Sequence, residues 1–226
     1  MVAVDFYDLK DKNDELLIAP LNFAVLVGKF GEVTIPDRLT DDTGILQALP
    51  EGFKTVGEIQ KAAGITLTPE LTLTGPEGYG SRGRRRDLIQ TEGFGIDYTA
   101  QEQRLINLET GMDLDVETPE LSPSEIRFSK RRNRKMPEYS VILIGLDAEN
   151  AIGKDIYPYW IYSRMVQTAR NPLNLTDSNI MEYAVRLDMK ELESTSTLMP
   201  FYFGLAGPGV PDYASAVGLT LPPAGN

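Results

Sequence analysis

The stretch ITLTPELTLT, Ile65 to Thr74, decides the fold class. In an extended chain Ile65, Leu67, Leu71 and Leu73 fall on one face, and Thr66, Thr68, Glu70, Thr72 and Thr74 on the other. This period of two describes a half-buried strand and excludes an amphipathic helix. Pro69 offers no N–H to a ladder, so the strand belongs at a sheet edge or carries a bulge there. Downstream, Phe94, Ile96 and Tyr98 form a second apolar face opposite Thr91, Gly95 and Asp97, and the two segments read as a hairpin. Its tip, Gly75 to about Arg86, runs to about 12 residues, more than hairpin geometry needs; loops of that length are functional or disordered.

That tip contains GYGSRGRRRDLIQ, Gly78 to Gln90, with Gly78, Gly80 and Gly83 at the G-x-G-x-x-G spacing. A dinucleotide fingerprint also needs a helix opening at the third glycine and an acid about 20 residues on. The helix does not follow: Thr91, Gly93 and Gly95 disfavour one, and no 3.6-residue apolar period is present. The loop therefore asks for another role.

Its arginines belong to a wider charge segregation. Arg82, Arg84, Arg85 and Arg86 form one basic cluster, and Arg127, Lys130, Arg131, Arg132, Arg134 and Lys135 a second, with no acid inside either. The clusters hold 10 of the 22 basic residues of a chain with net charge -11, which leaves everything outside them at -21. Either run alone reads as a solvated loop. Two basic prongs on an acidic body also suit head-to-tail association, a basic loop of one copy meeting an acidic face of the next.

The 226 residues suffice for one full-sized core, and the 20 Gly and 15 Pro point to many turns. With no Cys and no His, the chain lacks disulfides, thiolate nucleophiles, the usual zinc ligands and the commonest general base. The longest apolar run, near Val141 to Leu146, is too short to cross a bilayer. The acidic start MVAVDFYDLKDKNDELL is unlike a signal peptide, so no membrane or secretory targeting is expected.

Organisation reads as an N-terminal arm with a first strand near Phe23 to Val27 (1–50), a β-rich body (51–200) and a Gly/Pro-rich C-terminal arm (201–226). Thr99 and Glu102 form a T-x-x-E capping box that predicts one short helix, stopped by Gly111. Further strands are predicted at Glu125 to Lys130, Tyr139 to Asp147, Tyr157 to Gln167 and Met181 to Lys190. YSVILIGLD, apolar on both faces, reads as central.

Other candidate chemistry is weak. AENAIGKD, Ala148 to Asp155, has the outline of a phosphate loop but lacks the first glycine and the final Ser or Thr; a hairpin turn is the better reading. Asp11 to Glu15 and Met112 to Glu117 lack the glycine and terminal glutamate of a calcium loop. No pair among the 33 acids is singled out for glycosidase work. Tyr157, Tyr159, Trp160 and Tyr162 read as sandwich core before sugar platform. No catalytic residue, cofactor or metal is expected, and no enzymatic activity.

The order and spacing of GFKTVGEIQKAAGITLTPELTL, a long loop, LIQTEGFGIDYTAQEQRLINLETG, YPYWIYSRMVQ, LNLTDSNIMEYAVRLDMKEL and FYFGLAGPGV resemble the major tail tube proteins of long-tailed bacteriophages over roughly residues 51 to 209. The RGRRRD end of the loop is more basic than that pattern, and the first 50 residues match loosely. The resemblance implies a mainly β fold, a β-sandwich of two packed sheets with a flanking short α-helix, a long inter-strand loop and extended terminal arms. It implies a structural virion protein of the phage tail, assembled in the host cytoplasm as a homo-hexamer whose rings stack helically into a tube. Tape measure, tail tip and tail terminator proteins are the implied partners; DNA passes transiently and non-specifically on ejection, and no membrane is involved.

In that setting Gly78, Gly80, Arg82, Arg84, Arg85 and Arg86 would make inter-ring contacts, and the Arg127 to Lys135 cluster a second basic interface. An acidic channel would repel DNA and let it slide, where a basic lining would hold it through counterion release. Polar-face alternation nominates Thr66, Thr68, Glu70, Asp97, Glu182 and Asp188 for that wall. Two rivals remain: a nucleic-acid-binding protein gripping through the basic loops, and a carbohydrate-binding β-sandwich built on Trp160.

Overall fold

A computed structural model describes residues 5–75, 79, 86–130, 135–173, 175, 180–193 and 195–222. Among these, eight strands form one antiparallel sheet. In chain order they are β1 (Asn22–Lys29), β2 (Lys54–Thr55), β3 (Ile65–Thr74), β4 (Leu88–Ala100), β7 (Glu138–Leu146), β8 (Tyr157–Arg170), β9 (Tyr183–Met189) and β10 (Phe201–Ala206). The sheet runs β2-β1-β7-β8-β9-β4-β3, with β10 also on β8. A separate hairpin joins β5 (Asp115–Ser122) to β6 (Glu125–Ser129). Helices α1 (Phe6–Lys10), α2 (Leu105–Met112) and α3 (Val210–Ala216) are short. The protein is mainly β, as its alternating patterns predict.

The long β8 makes the two layers. One side pairs with β7 from Val166 to Tyr159. On the other, Tyr157 to Tyr162 pair with β10, and Met165 to Arg170 with β9. The sheet thus divides into two wings. Their inner faces share one core: Val25, Val27, Val141, Leu143 and Tyr162 from one wing, Ile96, Tyr98, Val185 and Leu187 from the other. Phe94 of β4 stacks on Phe201 of β10 with ring centroids 4.6 Å apart, although the strands are not sheet neighbours. The sandwich layers are therefore one sheet folded over on itself.

YSVILIGLD is apolar on both faces because β7 is covered on both. Val141 and Leu143 face the inter-wing core, while Ile142 lies in a second cluster under Leu39, Ile35, Leu49 and Phe53. Pro69 is accommodated because β3 is an edge strand, and a register shift follows at Thr72/Leu73. AENAIGKD lies in the β7–β8 turn, where Asn150 Nδ2 donates to the carbonyls of Asp147 and Lys154. Buried Asp147 also accepts the Ala19 N–H at 2.8 Å, tying down the segment that leads into β1.

The capping box does not form. Thr99 belongs to β4, and α2 begins at Leu105 with Arg104 as an N-cap that makes no side-chain hydrogen bond. Glu102 instead accepts the Glu58 N–H at 2.8 Å and pairs with Arg104 at 2.6 Å. A tertiary partner outcompetes the local one. The helix runs one residue past Gly111 and is closed by Asp113 in the left-handed region (φ 60°). Gly111 serves packing: a Cβ there would sit 2.8 Å from Tyr183 Cδ1.

Candidate assembly surfaces

The β3–β4 hairpin extends beyond the body. Its inner part packs normally, with Ile65 opposite Tyr98 and Leu67 opposite Ile96. Four residues further out, Leu71 pairs with Glu92 and Leu73 with Ile89. Leu71, Leu73 and Ile89 are 60%, 40% and 63% exposed. The apolar face continues after the core beneath it has ended, on a strand whose outer edge has no partner among the described residues. An open edge joined to exposed apolar side chains is a template for another chain. The alternation places Leu71 and Leu73 on the core face without marking where the core stops; Glu92, an acid on the line of Phe94, Ile96 and Tyr98, is the signal that could have done so.

Beyond the strands, Gly78, Gly80, Arg82, Arg84 and Arg85 lie outside the described residues, while Arg86 is exposed at the foot of the tip. The second cluster is less free than its sequence suggests. Arg127 bonds Glu125 at 2.8 Å and Glu120 at 3.4 Å across the β5–β6 hairpin, and Lys130 lies 3.7 Å from Asp113. Lys135 lines a cleft beside Glu138; Arg131, Arg132 and Arg134 are outside the described residues. Leu121 and Ile126, paired across the same hairpin, are both exposed.

The nominated polar residues share one face of the β3-β4-β9 wing. Register aligns Thr66 with Asp97 and Arg186, and Thr68 with Gly95 and Asp188. Arg186, which the alternation left unselected, is the hub. Its guanidinium reaches Asp97 at 2.6 Å, Asp188 at 2.7 Å and Glu70 at 2.9 Å. Gly95 leaves room for it, since a Cβ there would be 2.6 Å from Arg186 Cζ. Thr168 donates to Asp188 from β8. Glu182 is held apart from the hub by Gln60 at 2.9 Å and Gln101 at 2.7 Å. Three carboxylates on one guanidinium leave the patch negative and fixed in orientation.

Of the aromatic run, Tyr162 is fully buried in the core, and its hydroxyl is pushed up to about 12 by burial. Trp160 is half-buried with its ring centroid 5.3 Å from that of Phe203. This is packing chemistry.

No protein-family model matches the chain, and no curated protein matches it. Among solved structures, a chain from the cryo-EM structure of the anti-feeding prophage (AFP) baseplate, 6-fold symmetrised, aligns over 82% of this chain and 93% of that chain. The identity is 12% and the TM-score 0.37, a likeness too loose to carry an argument about this chain's role.

Proposed function

We propose that this chain is a structural, self-assembling subunit of a phage-tail-like particle, and specifically a tube subunit: copies close into six-membered rings, rings stack, and DNA passes through the lumen. The observation that carries the reading is the β3–β4 hairpin, which leaves the core with Leu71, Leu73 and Ile89 uncovered on an open sheet edge. Ring closure would give β3 a neighbouring strand, and heterologous stacking contacts that do not close on themselves extend a filament. The sequence resemblance supplies the tube and the number six.

In this reading the Thr66, Thr68, Glu70, Asp97, Glu182 and Asp188 face lines the lumen. Arg186 holds three of these acids in place without cancelling them, which gives a wall of net negative charge that repels DNA within about one Debye length of 8 to 10 Å. The arginine tip makes ring-to-ring contacts. Exposed ion pairs are worth only about 0 to 1 kcal/mol each, so apolar and backbone contacts carry the affinity. Nucleic-acid gripping is disfavoured by the carboxylate partners of Arg127 and Lys130. Negative-stain microscopy of the purified protein at rising concentration tests the proposal: hollow tubes of stacked rings support it, and monodisperse protomers at every concentration contradict it.

A further inference from the structure

The end of the sheet opposite the hairpin tip holds a cleft that the reading above leaves unused. Strand register fixes the two ends. β4 departs from the tip at Leu88 and hands over to α2 after Ala100, which places α2 at the far end. β1 finishes at the same end, where Lys29 pairs with Tyr139, and Glu138 pairs with Val166 near the half of β8 that runs beside β9. Between the end of β1, α2, β5 and the start of β7 lies a cleft of about 380 Å³.

Among the described charged residues of its lining, Glu32 and Lys135 are exposed to water and four others are already committed. Lys29 binds Glu117; Glu138 is held by Arg164 and Lys190; Asp115 accepts from Thr118 Oγ1 at 2.8 Å. Glu109 differs. It projects from α2 into the lining, is only 5% exposed, and its carboxylate has no hydrogen-bond or ion-pair partner among the described residues. A carboxylate that lines a cleft and has no partner of its own is available to a cation brought by another chain. A guanidinium suits such a site better than an ammonium, because its planar fork is more weakly hydrated and can engage both oxygens.

Between the last residue of β3, Thr74, and the first of β4, Leu88, the sequence carries four arginines, Arg82, Arg84, Arg85 and Arg86. A donor at one end and an acceptor at the other is the arrangement that end-to-end stacking requires. We propose that the Glu109 cleft receives an arginine from the Arg82–Arg86 tip of a second copy of this chain. The proposal rests on the self-assembly reading above and adds the receiving site to it.

The test uses the full chain, kept dilute, and a synthetic peptide of Ser81 to Ile89, titrated at low ionic strength and followed by backbone NMR and calorimetry. The expected footprint is on α2, β5 and the start of β7. Glu109→Gln should weaken peptide binding about tenfold or more, and Glu51→Gln, an exposed acid elsewhere, should leave it unchanged. A peptide with serine at Arg84, Arg85 and Arg86 should not bind. Equal affinity of parent and Glu109→Gln, or a parent footprint that avoids α2, would overturn the proposal, and the footprint does not depend on the variant folding. If the parent forms tubes and Glu109→Gln forms them equally well at the same concentration, the cleft has no such role although the tube reading stands. If the peptide docks at Glu109 while the parent never forms tubes, the docking stands and the tube reading falls.

Discussion

Glu138, at the start of β7, is a half-buried acid held by two cations. Hydrogen bonds from Arg164 at 2.8 Å and then Lys190 at 2.5 Å hold its carboxyl down at about 2, against the opposing effect of burial. A carboxyl whose folded pKa lies below its ordinary 4.5 contributes stability that is complete above that value and lost as pH falls toward 2. Glu138→Gln should therefore cost about 3 kcal/mol near neutral pH, since it leaves two cations poorly partnered. The gap in melting temperature between parent and variant should narrow steadily between about pH 4.5 and pH 2; a gap independent of pH would contradict the assignment. Gly111 gives a packing test at the same scale. Gly111→Ala places a Cβ 2.8 Å from Tyr183 Cδ1 and 2.9 Å from its Cβ, and the latter cannot swing away. Thermal unfolding should show a loss of about 1 to 3 kcal/mol, despite the better helix propensity of alanine.

Among the elements, the strands were legible wherever one face meets a core and the other meets water. The alternation in Met181 to Lys190 returns as β9, with Tyr183, Val185 and Leu187 buried. YSVILIGLD betrays a strand covered on both faces, although not which segment covers it, because Leu39 and Phe53 reach it from far along the chain. The helix start was misread: Thr99-x-x-Glu102 is a sound local signal, but Glu102 finds the Glu58 N–H, and a strand claims Thr99. The β3–β4 hairpin was legible as a pair, while its overhang was not, since periodicity reports which face is apolar and not where the underlying core ends. Leu71→Lys combined with Ile89→Lys tests that overhang. Both sites are more than half exposed, so the protomer's unfolding free energy should stay within about 0.5 kcal/mol, whereas assembly seen by sedimentation should be lost. A large fall in protomer stability would mean that these side chains belong to the core.

At the scale of the whole molecule, the fold-over at β8 was beyond sequence reasoning. It depends on Phe201 pairing with Tyr162 and stacking on Phe94, contacts between segments far apart in the chain. The convergence of Asp97, Asp188 and Glu70 on Arg186 was half legible: alternation put all four on polar faces, and only the register of three strands brings them together. Charge segregation, by contrast, could be read directly, and it motivates a molecular prediction. Replacing Arg84, Arg85 and Arg86 with serine should leave thermal stability unchanged and raise the protein concentration at which stacks form. Unaltered stacking would remove the tip from the interface.

In the proposed tube, β3 keeps its outer backbone groups for a sister molecule. Amide hydrogen exchange, compared between dissociated protomers and the assembled particle, addresses it most directly. Among Thr66 to Thr74, the amides that do not bond to β4 should exchange freely in the protomer and become strongly protected on assembly. Identical exchange of those amides in both states would contradict the account.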